Sequence, residues 1–551
     1  MKYINHINSA FNELGFKSRG NQNQIINDIL MQFIDNNCST VVLNADTGVG
    51  KSIIGAVVAK VLIKLCGYDM QYFNGSITAV HTNALVDQYQ ESLPDALIIK
   101  GANNYECSTL SAHADECVTK GSPIFLTCAG CQYARIKEQR VTHDNIITNY
   151  TWLFRIILFT KLLQPRLVHI FDEGHLINDV WCSFGTIDIT ETYLTNLIKR
   201  IQRIPEISNH AKSIVRLKHM VADDKTDAMT ALSVYSFSLI KMLQSLEPML
   251  NNIKAKINEK LAYNDDITKL QAKHHRITKF MASLRDSITS LSMLNSNREM
   301  SYGRVDNGFL IEPIFIADDY NRIEAKYNLI MSATVSPDLV KRSFRSKRKI
   351  GYIKADMAFK PEQKQVCFLS NITLNYRVLQ RPGTIDELAR SINRICDYFK
   401  HERGLIMVPS FSLSEQIVER IAEHYASIGK LFVHESGTKV SEIIAQFKQH
   451  QGPALLISPS IFEGVDFPDD TSRYQILVKA PFPSLGNPRI KYISDYYPDV
   501  YRAVTIQTIV QSFGRSTRNP KDYSITFCLD RSIETLFYDV SNIWKNQFDI
   551  Q

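Results

Sequence analysis

No apolar run in the chain approaches the length needed to cross a bilayer. The first residues, MKYINHINSAFNELGF, also lack the uninterrupted apolar core of a signal peptide. A membrane partner is therefore not expected, and the expected location is the cytoplasm. There is no internal repeat, which argues against a solenoid or propeller, and no low-complexity tract, which argues against a disordered scaffold. Charge of one sign is scarce: the formal net charge is +7 over 551 residues. That balance permits nucleic-acid binding without arguing for it, because distribution matters more than the sum. Hydrophobic residues make up 44% of the chain, enough for large buried cores, and the length suits about three or four domains. Ten cysteines in a reducing compartment stay as thiols rather than disulfides, so a cysteine cluster is a metal candidate.

Against this background one stretch stands out, ADTGVGKS at residues 45–52. It follows the strand-like run Thr40-Val41-Val42-Leu43 and precedes the helix-like run Ile53-Ile54-Gly55-Ala56-Val57-Val58. Strand, Gly-rich turn and helix opening with Lys-Ser make a phosphate cradle. Thr47, Gly48 and Gly50 shape the turn, whose N–H groups point at an anion together with the helix N-terminus. Lys51 then pairs with the β- and γ-phosphates, and the Ser52 hydroxyl holds Mg²⁺. Ala45 replaces the first Gly of the generic pattern, and an ordinary strand-to-helix turn is the competing explanation.

Residues 1–39 read as helical. Arg19 and Gln22 lie there, and Gln22 taken alone suits a surface position better than a base reader. SITAVHTNALVDQY, residues 76–89, is a strand ending in His81-Thr82-Asn83 and then a helix. Groups at such strand ends sit where ligands bind in α/β sheets, although Thr82 or Asn83 serves equally well as a helix cap. Residues 100–142 break the α/β rhythm, which resumes with Asn145-Ile146-Ile147-Thr148-Asn149-Tyr150. RLVHIFDEGH, residues 166–175, is a buried strand ending in two carboxylates. Asp172 is placed to hold Mg²⁺ through water and Glu173 to orient and deprotonate the attacking water.

From about 186 to 305 the sequence is helical. Its two basic series, Lys199 to Lys218 and Lys269 to Arg285, read mainly as solvated faces. The runs Phe309-Leu310-Ile311 and Asn328-Leu329-Ile330 are expected to rejoin the sheet, the second leading into Ser332-Ala333-Thr334. KRSFRSKRK at 341–349 fits a linker, a solvated loop or a phosphate contact. A second α/β unit follows, with strands expected at 404–408, 431–434, 454–458, 475–479 and 524–529. It carries EGVD at 463–466 and QSFGRSTR at 511–518. Offsets of three, four and seven put Gln511, Gly514, Arg515 and Arg518 near one helix face. Two such units suggest a ligand in the cleft between them, and an Arg offered across it stabilises transition-state charge.

The ordered set ADTGVGKS, HTN, DEGH, SAT, EGVD and QSFGRSTR resembles the superfamily 2 helicases. The resemblance implies two RecA-like α/β domains with parallel sheets enclosing ATP. Lys51, Ser52, Asp172 and Glu173 come from the first, and Gly464, Asp466, Gln511, Arg515 and Arg518 from the second. Arg19 and Gln22 match the adenine-recognising motif, and Thr82, Asn83 and Ser410 the nucleic-acid-contacting motifs. Gly174 stands where the family usually has Ala, a swap of small for small.

Four of the cysteines, Cys107, Cys117, Cys128 and Cys131, are spaced C-x9-C-x10-C-x2-C between HTN and DEGH. Four thiolates suit a [4Fe–4S] cluster. Zinc sites usually show two close pairs and here there is one; unliganded loop cysteines are the third possibility. Cys38, Cys66, Cys182, Cys367, Cys396 and Cys528 are scattered and read as packing residues. An iron–sulfur insertion followed by a helical one looks like the XPD/DinG family. GANNYEC before the first cysteine and ITNY after the last also resemble it.

That layout implies RecA-like domain 1 at 1–99, 143–185 and 308–345, interrupted by an iron–sulfur insertion at 100–142 and an arch-like helical insertion at 186–307. RecA-like domain 2 takes 346–551. The stretch before residue 45 leaves no room for the nuclease domain that some DinG relatives carry. The implied activity is ATP- and Mg²⁺-dependent unwinding by a monomer moving 5′ to 3′ on single-stranded DNA at forks. The cluster is a structural wedge, and no redox role is required. Asn149, Tyr105, Tyr133, Arg135, Lys137 and Arg140 are further candidates for the strand path. The rival activities are a translocase that strips proteins or branch-migrates DNA, and an ATP-gated binding module.

Overall fold

The structure, a computed structural model, describes every residue except 47, 68–70, 108–111, 115–131, 160–164, 264–265, 295–297, 317–324, 336, 345–348, 356–359, 463–464, 518–521 and 540–544. Its nineteen strands among these residues are, in chain order, β1 Thr40–Asn44, β2 Phe73–Val80, β3 Leu97–Ile99, β4 Glu106–Cys107, β5 Ala112–His113, β6 Asn145–Asn149, β7 Arg166–Asp172, β8 Ile187–Ile189, β9 Met300–Val305, β10 Gly308–Pro313, β11 Ala325–Ser332, β12 Ile350–Lys354, β13 Lys364–Phe368, β14 Arg403–Met407, β15 Lys430–Val433, β16 Ala454–Ser458, β17 Tyr474–Leu477, β18 Ser524–Cys528 and β19 Asp549–Ile550.

Two seven-stranded sheets dominate, in the orders β12-β1-β11-β7-β2-β6-β3 and β15-β16-β14-β17-β18-β13-β19. Neighbours in both run parallel. Parallel sheets need cover on both faces, which explains strands as uniformly buried as β1, β7 and β16. Alternation still sorts the side chains. Val41 and Leu43 pack with Ile26 and Ile54 in one layer, while Val42 packs with Phe154 and Trp181 in the other.

The helices over the first sheet are α1 Ile4–Glu13, α2 Gln22–Leu30, α3 Lys51–Cys66, α4 Asn83–Ser92, α5 Gln132–Thr142, α6 Tyr150–Phe159 and α7 Ile177–Phe184. Four helices follow: α8 Glu191–Gln202, α9 Ala211–Ala222, α10 Ala228–Ala262 and α11 Thr268–Met293. They enclose a separate core around Leu194, Ile214, Tyr235, Leu246 and Phe280. Several of their basic residues are engaged at the surface: Lys218 with Glu191, Lys273 with Glu206 and Arg285 with Glu247. The remaining helices are α12 Pro337–Phe344, α13 Tyr376–Leu379, α14 Thr384–Tyr398, α15 Phe411–Tyr425, α16 Val440–Gln449, α17 Pro488–Tyr496, α18 Pro498–Phe513 and α19 Arg531–Tyr538.

Two expectations about strand membership are corrected. The run Phe309-Leu310-Ile311 does not rejoin the large sheet. It lies in β10, which pairs antiparallel with β8 and β9 and forms a small sheet beneath the four helices. The strand at 350–354 falls beyond the boundary expected at 345, yet pairs along its length with β1. Local periodicity marks a strand, but its partner depends on topology. No helix among the described residues is long and apolar enough to cross a membrane.

Candidate active site

The Gly-rich turn joins β1, second from the edge of the first sheet, to α3. Gly48 and Gly50 have φ of +90° and +82°, a region open to Gly and costly for other residues. Gly50 is the N-cap of α3 and supplies no side-chain cap. The first N–H groups of α3 are thus left for an anion. Lys51 Nζ donates to the Ala45 carbonyl at 3.2 Å, bending back over the turn. This cradle fits a phosphate chain. Thr47 lies outside the described residues.

Gln22 is a correction to the surface position expected of it, because it is buried. Its Oε1 accepts from Arg19 N at 3.0 Å and its Nε2 donates to Val49 O at 2.8 Å. A Cβ on Gly50 would lie 2.5 Å from that Nε2. Gln22 therefore braces the turn from behind, while the Arg19 side chain is exposed.

The two carboxylates end β7. Asp172 Oδ1 accepts from Glu173 N at 3.1 Å and Oδ2 from the Tyr89 hydroxyl at 2.7 Å. Each oxygen keeps a lone pair for a metal-bound water. Burial pushes the Asp172 carboxyl above its ordinary value, opposed by the Lys51 charge. Glu173 adopts left-handed backbone, φ 53° and ψ 47°, a strained conformation of the kind found at functional sites. Burial disfavours its charge, yet the hydrogen bond from His175 and the charges of Lys51 and Arg515 hold it below the usual carboxylate range. It is thus ionised at neutral pH, as a base must be. Gly174 is more than a small-for-small swap: a Cβ there would meet Ile330 Cγ2 at 2.2 Å.

His175, to which the motif reading gave no role, connects the halves of the site. Its Nδ1 lies 3.3 Å from Glu173 Oε2 and 2.9 Å from Ser332 Oγ. Its Nε2 lies 3.0 Å from Gln511 Nε2, which also donates to Thr334 Oγ1 at 2.9 Å. Gln511 comes from α18, so one network spans both large sheets. A second link, missed in the sequence, is the pair Lys364 Nζ to Asp46 Oδ2 at 3.3 Å, both residues buried. A third is Arg489, which donates to Ile314 O at 3.1 Å and to Asp179 Oδ1 at 2.9 Å.

Arg515 lies just past the end of α18. It is buried, donating through Nε to Phe462 O at 3.0 Å and through Nη1 to Val465 O at 2.8 Å, with Asp466 Oδ1 at 3.7 Å. It therefore holds the main chain at Phe462 and Val465 and acts on Glu173 through its charge. Gly464 and Arg518 lie outside the described residues.

Among the candidates for a nucleic-acid path, Thr82 caps α4 by accepting from Leu85 N at 3.3 Å, and Ser410 caps α15 by accepting from Leu413 N at 3.3 Å. Asn149 accepts from Trp152 N at 2.8 Å at the start of α6 and donates to Asn83 Oδ1 at 2.6 Å. All four stand at the carboxyl ends of parallel strands. Tyr133 is a correction: its ring is buried against Tyr105, centroids 5.4 Å apart, and serves the core. Arg135, beyond it on α5, is exposed.

Cys107 ends β4, while Cys117, Cys128 and Cys131 lie outside the described residues. Among the described residues no group of His, Cys, Asp or Glu is arranged to hold a metal. The six other cysteines are free thiols, and burial pushes Cys396 up to about 12.

Residues 392–546 match the family model of the helicase C-terminal domain. The chain is 21% identical over 475 residues to the ATP-dependent DNA helicase YoaA of Haemophilus influenzae, covering 77% of this chain and 69% of that protein. It is 22% identical over 440 residues to the ATP-dependent DNA helicase CHL1 of Scheffersomyces stipitis, covering 66% and 51%. Among solved structures an XPD helicase aligns with a TM-score of 0.63 at 15% identity, covering 97% of this chain and 99% of that one. S. tokodaii Xpd4 aligns with a TM-score of 0.55 at 15% identity, covering 97% and 100%. The ordered motifs on two parallel sheets, the helicase C-terminal match and these relatives support an XPD/DinG-type superfamily 2 helicase.

Proposed function

We propose that the chain is an ATP-dependent DNA helicase that moves 5′ to 3′ along single-stranded DNA and opens forks. The carrying observation is the network Glu173–His175–Gln511–Thr334, in which the candidate base of one sheet is linked through His175 to a helix of the other. A base so placed can sense whether the two domains are closed. Both sheets then form RecA-like domains, with the four-helix unit as an arch-like insertion between segments of the first.

In this reading Lys51 would exchange the Ala45 carbonyl for the β- and γ-phosphates, and Ser52 and Asp172 would hold Mg²⁺, which would supply charge neutralisation. Glu173 orients a water toward the γ-phosphorus and takes its proton as the bond to the β-phosphate oxygen breaks. Thr82, Asn83, Asn149 and Ser410 face the strand, all four at the N-termini of three helices suited to backbone phosphates. Affinity from phosphate contacts is salt-dependent and largely independent of sequence. The test is unwinding of forks bearing only a 5′ or only a 3′ single-stranded tail, at stated salt. Opening of the 5′-tailed fork is expected; ATPase without opening of either would leave a translocase.

Cys107, Cys117, Cys128 and Cys131 would hold a [4Fe–4S] cluster as a rigid wedge at the fork. The donor set supports this: four thiols in one segment with a single close pair. Protein purified without oxygen is expected to carry about four irons per chain. Stoichiometric zinc without iron would overturn the assignment. The chain is taken to act as a monomer in the cytoplasm.

A further inference from the structure

Two buried tyrosines reach the candidate metal-holding residue Asp172 from helices that start at the candidate strand contacts. Tyr89 lies on α4, whose N-cap is Thr82 and first residue Asn83. Its hydroxyl donates to Asp172 Oδ2 at 2.7 Å. Tyr150 opens α6, directly after Asn149, and its hydroxyl donates to the Asp172 carbonyl at 2.6 Å. The two helix starts are joined by the bond from Asn149 Nδ2 to Asn83 Oδ1. Both rings are held firmly: Tyr89 packs with Val86 and Ile147, and Tyr150 stacks on Phe154 and Phe171, centroids 5.6 and 6.1 Å away. Packing alone would be served by Phe at either position. The hydroxyls add a connection from each helix to one residue, Asp172.

We propose that Tyr89 and Tyr150 are positioning residues that couple nucleic-acid binding at the starts of α4 and α6 to the placement of Asp172 for Mg²⁺. The proposal rests on the helicase reading above. A strand seated on Thr82, Asn83 and Asn149 fixes the two helices relative to one another. The tyrosines pass that restraint to the Asp172 side chain through Oδ2 and to its main chain through the carbonyl. Coupling of this kind is reciprocal: the strand tightens Mg·nucleotide binding by the factor by which Mg·nucleotide tightens strand binding.

The experiment measures the affinity of a fluorescent ADP analogue with Mg²⁺, with and without oligothymidine. The parent, Y89F, Y150F and the double variant are compared, with thermal melts reporting the fold. The parent is expected to show coupling on the order of tenfold. Each single variant is expected to lose about threefold of it, and the double variant to fall within about twofold of none. The single variants carry the test if the double variant does not fold. A parent that couples, with single variants that couple equally well, would overturn the tyrosine proposal and leave the helicase reading standing. A parent without coupling would defeat the helicase reading itself.

Discussion

Replacing Glu173 by Gln is expected to lower ATP turnover by about 10²- to 10⁴-fold, the usual range for a lost general base. Gln keeps the length of the side chain and a carbonyl oxygen facing His175, so the effect isolates the proton-accepting oxygen. The change falls where the structure favours charge, since His175, Lys51 and Arg515 hold this carboxylate ionised against burial. Nucleotide affinity is expected to persist, because the cradle at Gly48, Gly50 and Lys51 is untouched. Single-turnover hydrolysis beside equilibrium nucleotide binding makes the measurement. Turnover within about twofold of the parent would remove Glu173 from the role of base.

The second large effect is one of stability. Lys364→Met is expected to destabilise the chain by about 3–5 kcal/mol, because it leaves the Asp46 carboxylate buried without its cation. The pair joins β13 of the second sheet to the nucleotide turn of the first. Met retains the length and apolar stem of Lys, so lost packing contributes little. Removing both charges, as Lys364→Met with Asp46→Leu, is expected to recover most of the loss, since a buried ion pair is often no better than an apolar one. Urea titration of the parent, single and double variants decides it. A single variant as stable as the parent would mean that the pair is not closed in solution.

What was legible in the sequence was what is local. The Gly-Lys-Ser turn, the strand ending in Asp172-Glu173 and the five strands expected in the second unit depend on spacing within a few residues, and all were found as elements. What stayed hidden depends on contacts between distant segments. Tyr89 looked like any aromatic on an amphipathic helix, and only the fold brings its hydroxyl to Asp172. Lys364 opens β13, a short strand that was missed, and nothing nearby signals its partner Asp46. His175 stood inside a recognised motif, but its role needs Gln511 from the far sheet. Helical offsets give the face on which Arg515 sits, and only the fold brings its guanidinium to the Phe462 and Val465 carbonyls. Tyr133 is a strand-path candidate in the sequence because a tyrosine near basic residues looks the same whether stacked on a base or on Tyr105.

The order of strands in the first sheet also bears on how the protein is made. β1 lies between β11 and β12, and the bond from Asn44 to Val335 spans 291 residues. The ribosome therefore releases the nucleotide turn long before either neighbouring strand exists. Until residue 354 emerges, β1 has open edges and the turn has no fixed frame, the condition in which nascent chains aggregate. The helical unit between can form first around its own core. A translational pause before β11 is expected to harm yield more than one after β12, with the finished protein unchanged.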